Sequence, residues 1–178
     1  MSFALYFLAI VPPPELSQKI HQIKNYIAQK YNCKHALKSP PHITIEPPFR
    51  FPPAKEALLI QNINHLNQQL QSLSTTIYIK DYDVFLPKVV FIKVLDNPEL
   101  HQIYKYTHHF VKSQLKIIKD LPPRPFHPHI TIAFRDVKKQ YTLTILEELK
   151  TNFPIQDSFQ FQKLFLLKHN GQYWEVIN

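Results

Sequence analysis

The chain has 178 residues and a formal net charge of +8, with 21 Lys and Arg against 13 Asp and Glu. Its 44% of hydrophobic residues can bury the core of one folded domain, which excludes a disordered chain. One glycine, Gly171, excludes the glycine-rich loops that bind phosphate through backbone amides, so side chains must hold any bound phosphate. The positive charge favours polyanionic partners such as RNA or nucleotides.

The N-terminal segment is apolar, but it resembles a strand more than a secretion signal. No basic residue precedes it, and it ends at Pro12-Pro13-Pro14, which favours a first strand over residues 3–11. No apolar run approaches the length of a membrane span. The single cysteine, Cys33, excludes an internal disulfide and a cysteine zinc site. We therefore expect a cytoplasmic monomer that contacts no membrane and has no implied protein partner.

The rest of the first half is predicted to alternate helices with strands. Over residues 14–30 the apolar positions follow a helical spacing, and Pro14 and Glu15 suit a first helical turn. These positions are Leu16, Ile20, Ile23 and Ile27. The elements that follow are a strand at 42–45 with prolines on both sides, a helix over 54–71 and a strand over 75–85.

The second half repeats this order of elements. Asn97 is predicted to cap a helix that begins with Pro98 and Glu99, which echo Pro14 and Glu15 at an offset of 84 positions. The predicted elements are a strand at 89–95, this helix, a strand at 129–132, a helix over 138–150, and strands near 159–168 and 172–177. The sequence therefore predicts a single domain, residues 1–178, built from internal repeats of approximately 1–86 and 87–178.

Each half carries the same five residues, Pro-His-Ile-Thr-Ile, at 41–45 and again 87 positions later at 128–132. Residues two apart in a strand share a face, so each isoleucine can enter a core while the histidine and threonine face a cleft. If a pseudo-twofold axis relates the halves, two imidazoles and two hydroxyls converge. Two histidines can act as acid and base on a phosphodiester near neutral pH, while the hydroxyls bind its non-bridging oxygens.

The paired motifs resemble the 2H phosphoesterase superfamily, and specifically its 2′-5′ RNA ligase / RNA 2′,3′-cyclic phosphodiesterase branch. Residues 40–49, PPHITIEPPF, resemble the first motif, and residues 126–133, FHPHITIA, resemble the second. The resemblance covers the whole chain. It implies an α+β fold, a bilobal pseudo-twofold duplication of a β-α-β-α-β unit with antiparallel sheets lining a central cleft.

The same resemblance implies roles for individual residues. His42 and His129 would be catalytic, with His42 as the proton donor and His129 as the proton acceptor. Thr44 and Thr131 would bind phosphate. The pseudo-symmetry of the sequence cannot by itself choose between the two histidines.

One position departs from the family pattern. Relatives often carry a basic residue five positions after the second histidine, where this chain has Phe134, and Arg135 follows. Under strict alternation Arg135 shares the face of the second motif, so we predict that it binds phosphate. Phe49 and Phe126 flank the motifs and are candidates for stacking on a base, or alternatively for packing in the core.

Several basic residues have structural alternatives. His127 and His129 could form a two-histidine metal site, but no carboxylate is placed to complete it, so we expect no metal and no other cofactor. Arg50 and Arg124 could grip phosphate or be surface charges. A stripe of basic residues on the predicted helix that begins at Pro98 is typical of a solvated face and could alternatively contact RNA. Its members are His101, Lys105, His108 and Lys112.

The predicted function is metal-independent opening of 2′,3′-cyclic phosphates of RNA or nucleotides by two-histidine acid–base catalysis. Reversible 2′-5′ RNA ligation is a related activity. The partners would be RNA termini or nucleoside cyclic phosphates. The alternative is an RNA- or nucleotide-binding module of the same fold without turnover. Retention of both histidines and both threonines favours the enzyme, because binding alone would tolerate Asn, Gln or Ser there.

Overall fold

The computed structural model describes residues 3–117 and 125–178, which form eight strands and four α-helices. The strands there are β1 (Ala4–Ile10), β2 (Ile43–Phe51), β3 (Thr76–Phe85), β4 (Val89–Val94), β5 (His129–Ala133), β6 (Gln156–Gln160), β7 (Phe165–His169) and β8 (Trp174–Val176). The helices are α1 (Pro14–Tyr31), α2 (Glu56–Leu70), α3 (Pro98–Ser113) and α4 (Thr142–Asn152). None of these helices combines the length and the hydropathy that a membrane span requires.

All eight strands belong to one antiparallel sheet in the order β6-β3-β4-β5-β2-β1-β7-β8. At its centre, β2 and β5 meet through a single residue pair, Ile43 with Ile130. We call this junction the seam. It divides the sheet into two four-stranded lobes, so the predicted α+β, two-lobed antiparallel architecture is confirmed. The difference from the prediction is that the lobes share one continuous sheet.

The two halves of the chain exchange strands across the seam. β3, which ends the first half, pairs with β4 and β6 in the second lobe, and β7 from the second half pairs with β1 in the first lobe. Each lobe therefore contains strands from both halves: β3 from the first half in one lobe, and β7 and β8 from the second half in the other. The predicted repeat boundary near residue 86 falls in the turn between β3 and β4.

The core lies against the motif isoleucines. Ile43, Ile45, Ile130 and Ile132 are at most 1% exposed, whereas the histidine and threonine beside each of them are partly exposed. Burial of each isoleucine stabilises the fold by roughly 1.5–3 kcal/mol, which fixes the register of both motif strands.

The predicted helices form largely where the sequence places them. α1 buries the predicted stripe against the sheet, and Pro14 occupies its first turn. α3 begins at Pro98, and the side chain of Asn97 caps it by accepting a hydrogen bond of 3.0 Å from the Leu100 amide.

Two predicted strands have wrong boundaries. β2 does not stop at the prolines but continues to Phe51, because its register with β1 shifts between Tyr6 and Leu8, and such a bulge accommodates residues that lack an amide proton. The strand predicted near 159–168 is two strands, β6 and β7, on opposite sides of the sheet. Phe161 and Leu164, in the connection between β6 and β7, are buried. The apolar pattern of this connection therefore resembles that of a continuous strand.

Candidate active site

The seam determines how the two motifs face each other. Four motif side chains form what we call the quartet: His42, Thr44, His129 and Thr131. In an antiparallel pair, the neighbours of paired residues face each other in reverse order, so each histidine lies across from the threonine of the other motif. Cβ atoms of opposite residues in such a ladder are about 4.5–5.5 Å apart, and those of diagonal residues about 7–8 Å. The register thus brings both histidines and both threonines to one patch.

Both imidazoles are held in the same way. The Nδ1 atom of His42 lies 2.7 Å from the Pro40 carbonyl oxygen, and that of His129 lies 2.7 Å from the His127 carbonyl oxygen. A carbonyl can only accept, so Nδ1–H donates in both rings and Nε2 is left for proton transfer. The repeated proline of each motif restricts the preceding residue to extended backbone, which explains why that residue presents its carbonyl to the imidazole.

Each imidazole also packs against a phenylalanine of the neighbouring strand. The ring of His42 lies 4.9 Å from that of Phe7 in β1, and the ring of His129 lies 5.1 Å from that of Phe91 in β4. Phe7 and Phe91 are 84 positions apart, the offset of the two helix starts. This offset is a sequence signal that could have identified both aromatic residues. Phe85 adds a second, edge-on contact to His129 at 5.1 Å.

The apolar surroundings favour neutral imidazoles. The pKa of His42 is lowered to about 4, first by burial and then by the positive charges of Lys24 and His129, against the opposing effect of the hydrogen bond to Pro40. Burial also lowers the pKa of His129, and the nearby His127 lowers it further. Both rings are therefore mainly neutral near pH 7 in the ligand-free protein.

A cavity of about 510 Å³ adjoins the quartet. From the quartet, His42, Thr44 and Thr131 line it, whereas His129 lies beside it against the Phe85 ring. Its apolar lining residues include Leu5, Phe7, Pro48 and Trp174. Its basic lining residues include His35, Lys38 and Arg135. In the described part of the chain no carboxylate lines this cavity, so its electrostatic character favours an anion.

Arg135 reaches the cavity, but not by strand alternation. β5 ends at Ala133, and Arg135 adopts a left-handed backbone with φ of 62° in the turn that follows. Its Nη1 atom lies 3.4 Å from Nε2 of His35, and the His35 amide donates to Asp136 at 2.8 Å. Arg135 therefore lines the cavity through this turn and not through the predicted strand alternation.

The two phenylalanines predicted to stack on a base do not line the cavity. Phe49 is only 3% exposed and packs in the core against Tyr6, its partner in β1, so its predicted stacking role is wrong. Phe126 stacks on Tyr104 of α3, with ring centroids 4.3 Å apart and an interplanar angle of 5°, so one of its faces is covered.

Other aromatic residues, Phe7 and Trp174 among them, line the cavity instead. Trp174 of β8 lies edge-on to Phe7 at 4.7 Å and to His169 at 4.9 Å, and all three line the cavity. Trp174 is 132 residues from the first motif histidine in sequence. Only the pairing of β8 with β7, and of β7 with β1, brings it there, and no pattern in the sequence indicates that pairing.

The other basic residues proposed to contact phosphate or RNA do not line the cavity in the described part of the chain. On the α3 stripe, His101 lies 3.0 Å from Asp96 and His108 lies 3.0 Å from the buried Glu46, whereas Lys105 and Lys112 are exposed. Arg50 is exposed on β2, and Arg124 lies outside the described residues. No group of three or more His, Cys, Asp or Glu in residues 3–117 and 125–178 is arranged to hold a metal ion.

Comparisons with known proteins agree with this arrangement. The profile of the 2′-5′ RNA ligase superfamily matches residues 12–172. A Bacillus licheniformis protein provisionally named a phosphoesterase is 27% identical over 119 residues, 66% of this chain and 65% of that protein, so the match spans just under two thirds of this relative. A second protein with such a provisional name, from Geobacillus sp. (strain WCH70), is 25% identical over 96% of this chain and 92% of its own length.

Solved structures share the fold. E. coli LigT complexed with 3′-AMP superposes with a TM-score of 0.63 at 17% identity, covering 99% of this chain and 97% of LigT. A Thermus thermophilus protein superposes with a TM-score of 0.64 at 17% identity, covering 98% and 95% of the two chains. At such identity the likeness concerns the fold alone.

Proposed function

Because this chain belongs to the 2′-5′ RNA ligase superfamily, and with it to the 2H phosphoesterases, we propose that it opens 2′,3′-cyclic phosphates by two-histidine acid–base catalysis. The observation that carries the proposal is the matched pair of imidazoles. Each is held through Nδ1 by a carbonyl and lies across the seam from the threonine of the other motif. A binding module would not need two imidazoles with both Nε2 atoms left for proton transfer.

The proposed reaction uses opposite protonation states of the two histidines. The neutral imidazole takes a proton from water as its oxygen forms a bond to phosphorus. The imidazolium gives its proton to the ribose oxygen as the ring P–O bond breaks, which leaves a phosphomonoester on the other ribose oxygen. The hydroxyls of Thr44 and Thr131 make no hydrogen bond to protein in the described part of the chain, so they can donate to the non-bridging oxygens. Arg135 adds positive charge at the cavity.

The order of the two pKa values bears on the assignment of roles. The resemblance makes His42 the proton donor, yet its larger pKa decrease keeps it neutral in the ligand-free protein. A bound phosphodiester is an anion, and it raises the pKa of an adjacent imidazole. We retain His42 as the donor in the bound state, and the leaving-group experiment in the Discussion tests this assignment.

The substrate proposed is an RNA terminus or a nucleoside that carries a 2′,3′-cyclic phosphate. Reversible 2′-5′ ligation, in which a ribose 5′-hydroxyl takes the place of water, is proposed as a related activity. The aromatic residues that line the cavity suit a base, and its basic residues suit phosphates. E. coli LigT has been crystallised with 3′-AMP and with ATP, which supports a nucleotide ligand for the shared fold. We further propose that the protein acts as a cytoplasmic monomer.

A substrate panel tests the function. Purified protein is incubated with 2′,3′-cyclic nucleotides, an oligoribonucleotide ending in a cyclic phosphate, and a 2′-5′-linked dinucleotide, and the products are resolved. We expect turnover of cyclic phosphates to persist in excess EDTA, because the proposed chemistry needs no metal. Binding without turnover would favour the binding module. Loss of activity in EDTA that zinc or manganese restores would instead favour a metal site at His127 and His129.

The pH dependence of kcat/KM follows from the two lowered pKa values. The active form carries one proton on the histidine pair, and this form predominates between the two pKa values of the free protein. Both lie below the ordinary 6.5, so kcat/KM should be bell-shaped with its maximum on the acidic side of that value. Initial rates from about pH 4 to about pH 9 measure it. A maximum above neutral pH would contradict the assignment.

A further inference from the structure

Lys24 interrupts the apolar stripe of α1. Its neighbours on that stripe, Ile20, Ile23 and Ile27, enter the core as the helical spacing requires. Lys24 is buried with them and is only 2% exposed, the one buried lysine in residues 3–117 and 125–178. A lysine is almost never buried this deeply without a counter-charge, because its ammonium group loses its hydration.

The ammonium group contacts a backbone carbonyl rather than a carboxylate. Nζ of Lys24 donates a hydrogen bond of 2.8 Å to the carbonyl oxygen of Ser39. Among the described residues, no Asp or Glu pairs with it. Burial lowers the pKa of Lys24 to about 8, so the amine is still mainly protonated at neutral pH. The contact thus places a positive charge inside the protein at a cost in stability, which calls for a reason other than stability.

The carbonyl that Lys24 holds belongs to the segment that orients His42. Ser39 lines the cavity, and Pro40 and Pro41 follow it directly. The Pro40 carbonyl accepts the hydrogen bond from Nδ1 of His42. Two successive prolines have fixed φ angles, so the segment is stiff and a displacement at Ser39 is transmitted to the Pro40 carbonyl.

We infer that Lys24 is a positioning residue for His42, which anchors the Ser39-Pro40-Pro41 segment through its hydrogen bond and sets the electrostatic field at the imidazole through its charge. The inference rests on the proposed function of the site. In the second half the position 84 residues later is His108, which contacts Glu46 instead. The buried lysine therefore has no lysine counterpart at the second motif, and its removal should affect the two histidines unequally.

Other titratable groups around His42 are more exposed than Lys24. They are His129 of β5, His35 and Lys38 in the 3₁₀ turn after α1, Arg135 after β5 and His169 of β7. Lys24 and His129 are the two whose charges lower the pKa of His42. Removal of the Lys24 charge should therefore raise this pKa, because imidazolium is then less disfavoured.

Two substitutions of Lys24 distinguish the effect of its charge from the effect of its hydrogen bond to Ser39. Lys24→Gln keeps a hydrogen-bond donor without the charge, and Lys24→Met removes both at similar length. The matched control is Lys19→Met, which removes an exposed lysine from the same helix. NMR titration of the histidines in the ligand-free protein, thermal unfolding, and kcat and KM for a cyclic nucleotide are measured for each variant.

We expect Lys24→Gln to raise the pKa of His42 while that of His129 moves less. Lys24→Met should unfold at the same or a higher temperature than the unsubstituted protein, yet lose roughly ten- to a hundredfold in kcat with little change in KM, because the imidazole is misplaced. The control should match the unsubstituted protein throughout. If the protein turns over no cyclic phosphate, the proposed function fails, while the NMR titration still decides the coupling of Lys24 to His42.

Two outcomes would overturn the inference. One is a His42 titration in Lys24→Gln that does not differ from that of the control. The other is a loss of kcat in Lys24→Met that merely follows a loss of thermal stability, since this would make Lys24 a structural residue.

Discussion

Replacement of His42 or His129 by alanine should lower kcat/KM for a 2′,3′-cyclic phosphate by roughly a hundred- to ten-thousandfold, the usual scale of a general acid or base. Each variant removes one of the two proton transfers, and no other side chain of the quartet can take it over, because a threonine hydroxyl does not titrate near neutral pH. His65→Ala, which removes an exposed histidine on α2, is the matched control and should retain full activity. Near-normal rates in both motif variants would exclude the two-histidine mechanism.

The same variants assign the two roles when the leaving group is changed. A phosphodiester that releases 4-nitrophenolate needs little protonation of its leaving oxygen. On that substrate the variant that lacks the acid should recover most of its activity, and the variant that lacks the base should not. We expect His42→Ala to recover. Recovery of His129→Ala instead would mean that the order of pKa values in the ligand-free protein, rather than the family pattern, decides which histidine donates.

Thr44→Val and Thr131→Val should each cost about 1–3 kcal/mol of transition-state binding, a loss of roughly 5- to 150-fold in kcat/KM. Valine keeps the β-branched shape that suits a strand and removes only the hydroxyl, so the seam should stay intact. Thr151→Val on α4 serves as the control, because its hydroxyl donates to the Glu147 carbonyl on the protein surface.

The double threonine variant distinguishes phosphate binding from a packing role. Two hydroxyls that donate to one phosphate form a coupled set, so their losses should fail to add. Unchanged kinetics in both single variants would mean that the threonines only complete the strand surface. Losses matched by an equal decrease in thermal stability would lead to the same conclusion.

The sequence predicts the centre of the site because local periodicity determines it. Alternation within each motif strand places Ile43 and Ile130 on the face opposite the histidines. Burial of these isoleucines in the core therefore directs the neighbouring histidines and threonines to the other face. Alternation does not extend to Phe49, because the register of β2 with β1 shifts between Thr44 and Phe49, and the even-numbered Glu46 is buried as well. The resemblance to the family then indicates the chemical roles of the motif residues, which alternation alone does not determine.

The periphery of the site could not be predicted, because it depends on pairings between distant segments. Trp174 reaches the cavity through two strand pairings, and Arg135 reaches it through a left-handed turn that ends the regular alternation. Lys24 occupies a position at which the helical pattern predicts another apolar residue. Its contact with Ser39 depends on how α1 packs against β5 and the turn that follows the helix.

The exchange of β3 and β7 between the lobes has a consequence for how the chain folds. A cut in the turn between β3 and β4 would leave one fragment with β3 but without its partners β4 and β6, and the other with β7 but without β1. Neither fragment contains a complete lobe, so neither half is an independent folding unit. Native pairing has to join residues far apart in sequence before either lobe is complete, which gives the chain a high contact order and slow folding. We therefore expect the two lobes to unfold together, in one cooperative transition.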